Sequence, residues 1–148
     1  MASRRRLSQE LDALAAAADW GPRVSHVYNP LAYAGEVYEA YVRKYGSGAP
    51  GRVLLVGMNP GPWGMAQTAV PFGVPEVVRG WMGVSGRVGR PAAQHPRRPI
   101  LGFECERREV SGSRLWGWAR EDYGTPEAFF RGYFVETYCP LVFMGGEG

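Results

Sequence analysis

Asn59 is the side chain whose surroundings most need a chemical explanation. It sits in "VLLVGMNPGPWGMAQTAVPFG", residues 53 to 73, where four consecutive aliphatics run into a loop holding three prolines and four glycines. Proline fixes φ and glycine lets a backbone approach a ligand closely, so Asn59, between Met58 and Pro60-Gly61-Pro62, is held with little conformational freedom. Its uncharged amide oxygen can hold a water without presenting a carboxylate to an anionic substrate. A phosphate cradle is the rival, but "GMNPGPWG" lacks the Gly-Lys-Ser/Thr ending of a P-loop, and its prolines remove N–H donors that a cradle uses. Spacing alone supports a purely structural proline-glycine turn equally well.

The other residue types with chemical potential are sparse. Cys105 and Cys139 stand far apart with no Cys-X-X-Cys partner, and the two histidines are His26 and His95. Neither a structural zinc nor a disulfide framework is expected from them. The 148 residues carry 17 Lys and Arg against 14 Asp and Glu, a net charge of +3. So mild a basic balance fits a polyanionic partner without requiring one.

The elements that must position Asn59 follow from periodicity. Leu7, Leu11 and Leu14 repeat at helical spacing through an alanine-rich stretch that Trp20-Gly21-Pro22 stops, which predicts a short amphipathic helix. The three arginines before it do not lead into a long apolar core, because Gln9, Glu10 and Asp12 intervene. Hence neither a signal peptide nor a membrane segment is expected, and the chain reads as cytoplasmic. Val37, Tyr38, Tyr41, Val42 and Tyr45 follow helical spacing up to Gly46, and this tyrosine stripe reads as core packing. "RVLLV" shows no polar alternation and predicts a strand buried on both faces, as parallel strands are. In such a sheet, ligands bind beyond the carboxyl ends of the strands, where the loop after Val56 must lie.

Downstream, "PEVVRGWMG" reads as one helix and "SGRVGRPAAQHPRRPILG" as an irregular basic stretch. A helix is expected around Leu115 to Asp122, and another opens at Thr125-Pro126-Glu127 with threonine as N-cap and proline at the first helical position. "YFVETYCPLVF" predicts a second strand broken by Pro140.

Five blocks, "VYNPLAYAGEVYEAYV", "LLVGMNPGPWGMAQTAVPFG", "HPRRPILGFE", "EVSGSRLWGW" and "CPLVF", resemble successive segments of the single-strand-selective monofunctional uracil-DNA glycosylases, in order from about Val24 to Phe143. The resemblance implies an α/β fold, a three-layer α/β/α sandwich around a short parallel sheet, and removal of uracil or oxidised uracil from single- or double-stranded DNA without cofactor or metal. It implies a monomer with a role at the bacterial nucleoid, and residues 1 to 148 as the N-terminal portion of one domain, incomplete at the C-terminus.

Residue by residue, the resemblance makes Asn59 the group that positions the hydrolytic water below the sugar. It places Met58 against the extruded base and stacks Phe72 on the flipped pyrimidine, as enzymes that process bases do. Gly61 stands where uracil glycosylases of the principal branch carry a tyrosine that blocks the C5 side, so a C5 substituent such as hydroxymethyl is expected to be accommodated. Two departures follow. Thr137 stands where the family has an asparagine that reads the Watson–Crick edge, and a hydroxyl cannot make the paired amide contact. No segment matches the family's distal His-Pro element, which stabilises the departing uracil. His95 belongs instead to an upstream block and reads as structural. The chain alone is therefore expected to excise uracil poorly; a crippled or inert DNA-binding fragment, or a member with altered base preference through Thr137, are the alternative functions.

Overall fold

The computed structural model describes residues 2 to 146. Helix α1 (Ala2–Ala17) precedes a short strand β1 (His26–Tyr28), a single turn α2 (Pro30–Tyr33) and helix α3 (Gly35–Tyr45). Strand β2 (Val53–Gly57) leads through the Asn59 loop into the turn α4 (Met65–Thr68). A π-helical turn at Val77–Trp81 and a 3₁₀ turn at Gly102–Glu104 follow before helices α5 (Val110–Tyr123) and α6 (Pro126–Gly132) and strands β3 (Tyr133–Thr137) and β4 (Val142–Met144).

Local chemistry explains the helix starts. Thr125 caps α6, its hydroxyl accepting from the Ala128 N–H at 3.2 Å, with Pro126 at the first helical position, as expected from the sequence. Helix α5 begins five residues before the expected Leu115 and embraces Gly112. That glycine is required there: a Cβ on it would lie 2.5 Å from the Phe72 carbonyl oxygen.

Strands β2 and β3 pair in parallel, Val53 opposite Tyr133 and Gly57 opposite Thr137. This is the expected short parallel sheet. "YFVETYCPLVF" is not one strand interrupted by Pro140: its second half, β4, leaves that sheet and pairs antiparallel with β1. Helices pack on opposite faces of β3. On one face Tyr41 of α3 stacks on Phe134 at 5.4 Å, and the Tyr38 hydroxyl donates to Glu136 at 2.7 Å. On the other, Phe129 of α6 stacks on Tyr133 at 5.1 Å and Trp118 of α5 meets it edge-on. One core of buried residues joins α3, the π-helical turn, α5, α6 and β3 through Tyr41, Val78, Trp116, Phe129 and Val135. The tyrosine stripe is thus core, as its spacing predicts.

Two expectations are corrected. The β2 strand is not buried on both faces: Leu54 is 57% exposed, and Val53 and Val56 are similarly open. The helices that cover β3 reach only Leu55 of β2, and the far edge of β2 meets no strand among the described residues. The leucine face of α1 is also largely open, with Leu7 and Leu14 exposed. Polar contacts dock this helix instead, the Asn29 amide donating to the Ser8 carbonyl at 3.0 Å and to the Asp12 carboxylate at 2.9 Å.

An open edge carrying exposed aliphatics is a template for association. Leu54→Lys is expected to raise the concentration at which residues 1 to 148 begin to associate by about tenfold. Burying one leucine contributes about 1.5 kcal/mol, and a tenfold change in affinity corresponds to about 1.4 kcal/mol. Light scattering across a dilution series reads this; an unchanged onset would place association elsewhere.

Candidate base-binding site

The loop after β2 is fixed from both sides. Strand-like hydrogen bonds continue past the sheet, Tyr138 N–H to the Gly57 carbonyl at 2.8 Å and Cys139 N–H to the Met58 carbonyl at 3.0 Å. Further on, the buried Gln67 amide donates to the carbonyls of Pro62 and Pro99 at 2.9 and 3.0 Å. Its oxygen accepts from the N–H groups of Leu101 and Gly102 at 2.8 and 3.0 Å. All the hydrogen-bonding capacity of this side chain is used to tie the Asn59 loop to residues 99 to 102, at the end of and just after "HPRRP". The Thr68 hydroxyl donates to the Gly73 carbonyl at 2.8 Å and closes the loop's far end.

Between these ties, a cavity of about 320 Å³ opens beyond the carboxyl end of β2. Asn59, Gly61, Phe72 and Thr137 all line it, so four of the five residues singled out from the sequence share one space. The Asn59 side chain is exposed there and hydrogen-bonds to none of the described residues, which leaves its amide available to a water or ligand. Phe72 adopts the left-handed region, φ 56°, a conformation that a bulky residue holds only when its surroundings impose it. Here the Trp116 indole N–H donates to the Phe72 carbonyl at 2.9 Å. The ring lies against Gly57, where an added Cβ would come within 2.8 Å of it. The Thr137 hydroxyl donates to the Cys139 carbonyl at 3.2 Å, so toward the cavity it retains only acceptor capacity.

Met58 does not line this cavity and is 78% exposed; its backbone is held in the ladder, along which side chains alternate direction. His95 is buried, its Nε2 2.9 Å from the Gly145 carbonyl oxygen and its backbone N–H donating to the Tyr28 hydroxyl. It takes no part in the cavity, in keeping with a structural role. Among the described residues no group of three or more His, Cys, Asp or Glu side chains is placed to hold a metal ion.

The sequence reading missed Glu109, which also lines the cavity. It stands at the N-cap of α5, but its carboxyl does not cap the helix. It turns toward the loop, and a Cβ on Gly61 would fall 1.3 Å from its Oε1. Gly64 is crowded likewise: a Cβ on it would fall 2.3 Å from Oε2. Burial pushes the Glu109 carboxyl above the usual carboxylate range, because desolvation disfavours the ionised form. Nothing local signals this placement, since Gly61 and Glu109 lie in separate segments that only the fold brings together. Two residues before Glu109, the Arg107 guanidinium lies over the Trp63 ring at 4.5 Å.

No protein-family model matches the chain. Over 143 residues, 97% of its length, it is 50% identical to the single-strand selective monofunctional uracil DNA glycosylase of Bos taurus and covers 51% of that protein. The proteins of the same name from Rattus norvegicus and Mus musculus are 49% and 50% identical over the same length, with half of each covered. The chain therefore spans about half the length of these curated relatives. Its fold is similar to that in the crystal structure of wild-type Pedobacter heparinus SMUG2, with a TM-score of 0.56 over 93% of this chain and 55% of that one. At 20% identity that likeness bears on the fold alone.

Proposed function

We propose that this chain, homologous across 97% of its length to the single-strand selective monofunctional uracil-DNA glycosylases, carries the base-binding and water-positioning part of a DNA-glycosylase site for uracil or C5-substituted uracil. The reading rests on one observation: Asn59, Gly61 and Phe72 of the loop after β2 meet Thr137, at the end of β3, on a single cavity at the carboxyl end of β2. An extruded pyrimidine would stack on Phe72, present its C5 side to Gly61 and turn its hydrogen-bonding edge to Thr137. The Asn59 amide oxygen would hold the water whose oxygen bonds to the sugar C1′ as the glycosidic bond breaks; the base leaves with the electron pair, and the proton lost by the water goes to that base anion or to solvent. The exposed Arg107, two residues before Glu109, would meet the phosphate backbone.

The test is fluorescence anisotropy with residues 1 to 148 and single strands carrying one hydrolysis-resistant 2′-fluoroarabinouridine or the corresponding adenine nucleotide. The uracil strand is expected to bind about tenfold more tightly, the scale of one lost hydrogen-bonding or steric fit in base readout. Equal affinities would sink the reading. Thr137→Asn supplies the paired donor and acceptor that a hydroxyl already committed to Cys139 lacks. It is expected to raise the preference for uracil over hypoxanthine strands by about tenfold, at the lower end of the 1 to 3 kcal/mol for a bidentate contact. An unchanged ratio would mean that residue 137 does not face the base.

A further inference from the structure

Nothing in the packing of the described residues accounts for Trp63. Four of the five tryptophans donate their indole N–H to an acceptor: Trp20 to the Ala15 carbonyl, Trp81 to that of Gly124, Trp116 to that of Phe72 and Trp118 to the Asp122 carboxylate. Trp63 donates to none among the described residues and packs into neither hydrophobic core. Its half-buried ring instead carries the Arg107 guanidinium at 4.5 Å.

Chain connectivity puts this pair beside the base-binding cavity. Trp63 directly follows Pro62, Arg107 stands two residues before Glu109, and both Pro62 and Glu109 line that cavity. Arg107 also lines a groove of about 470 Å³ that sets Arg79, Arg107 and Arg108 against the two carboxylates of Glu76 and Glu106. Arg108 pairs with Glu76. Arg79 and Arg107 pair with no carboxylate among the described residues; both are exposed, and the Arg79 guanidinium lies over Phe103 at 4.4 Å. Accessible rings beside uncommitted arginines are the components of surfaces that hold single-stranded nucleic acid, the ring offering a face to any base and the cation a partner to a phosphate.

We propose that Trp63 and Arg107 form a subsite for the nucleotide next to the extruded one, its base stacking on Trp63 and its phosphate pairing with Arg107. This rests on the base-binding reading above. In the chain alone the guanidinium covers the apolar ring. When a strand binds, the base takes the ring face and the cation moves to the phosphate, so that each group exchanges one partner for another. Such a subsite is indifferent to sequence, because every base has a π-face.

The experiment uses residues 1 to 148 and single strands carrying one 2′-fluoroarabinouridine, with the nucleotide on its 5′ side, on its 3′ side or on neither replaced by a baseless tetrahydrofuran spacer. One of the two replacements is expected to raise Kd for the wild-type chain by about tenfold, the scale of one base–aromatic stack. W63L removes the ring face and is expected to bind the intact strand about tenfold more weakly and to respond to that spacer by less than about threefold. W63F keeps a ring and is expected to keep the response. R107Q is expected to lower the slope of log Kd against log salt by about 0.7, one phosphate contact of a single strand, which W63L leaves unchanged. Thermal melts check the folding of each variant, and the wild-type comparison needs no substitution at all. If neither spacer weakens wild-type binding, or if folded W63L responds to the spacer as wild type does, the subsite is overturned while a kept preference for the uracil strand over the adenine strand leaves the base-binding reading standing. A wild-type chain without that preference overturns both.

Discussion

Asn59→Ala is expected to lower base excision by about 10² to 10³, the usual cost of deleting one preorganised polar group that acts on the transition state. Because this chain spans half of its curated relatives, the assay joins residues 1 to 148 to the half of the Bos taurus protein that it does not span. Single-turnover cleavage of a uracil-containing strand is then followed by alkali treatment at the abasic site. Binding of the hydrolysis-resistant strand is expected to change little, since the Asn59 side chain is exposed, lines the cavity and hydrogen-bonds to none of the described residues. The combination is diagnostic: loss of turnover with binding kept assigns Asn59 to the water, and loss of both in proportion assigns it to the base. Turnover equal to wild type would remove Asn59 from the chemistry.

Gln67→Leu is expected to cost at least about 3 kcal/mol of folding stability, read from urea unfolding of residues 1 to 148. The leucine has a similar volume but abandons two N–H groups and two carbonyls that the amide serves. A buried backbone group left without a partner costs roughly 1 to 3 kcal/mol, so four of them reach this total even if waters enter to rescue part of it. The effect should extend to the site, because the amide ties the segment carrying Pro62 to that carrying Pro99. Binding of the uracil strand is therefore expected to weaken together with stability. A loss below about 1 kcal/mol would mean that the loop is held by its prolines and by Trp116, with Gln67 an accessory.

How much of this was legible in the sequence varies from element to element, for one physical reason. Helix α3 and the capped start of α6 are set by periodicities and hydrogen bonds spanning a few residues, and both stand where the residues predict them. The position of Asn59 between a strand end and a proline-clamped turn is likewise local, and with it the expectation of a site there. Met58 shows the limit of locality: adjacent to Asn59 in sequence, it points away because strand geometry alternates.

What tertiary structure alone decided is the company these residues keep. The apolar run of β2 reads as buried in any context, but exposure depends on neighbouring strands, and one edge of β2 has none among the described residues. The split of "YFVETYCPLVF" between two sheets depends on β1, a three-residue strand too short to leave a pattern. Phe72 takes its left-handed conformation because Trp116 holds its carbonyl and Gly57 yields room for its ring. Glu109 enters the cavity because α5 delivers its N-terminus against a loop that has no side chain at Gly61. Residue spacing along a chain records which groups can share a turn or a strand; it does not record which distant segments will desolvate one another, and the chemistry of this cavity is set by that desolvation.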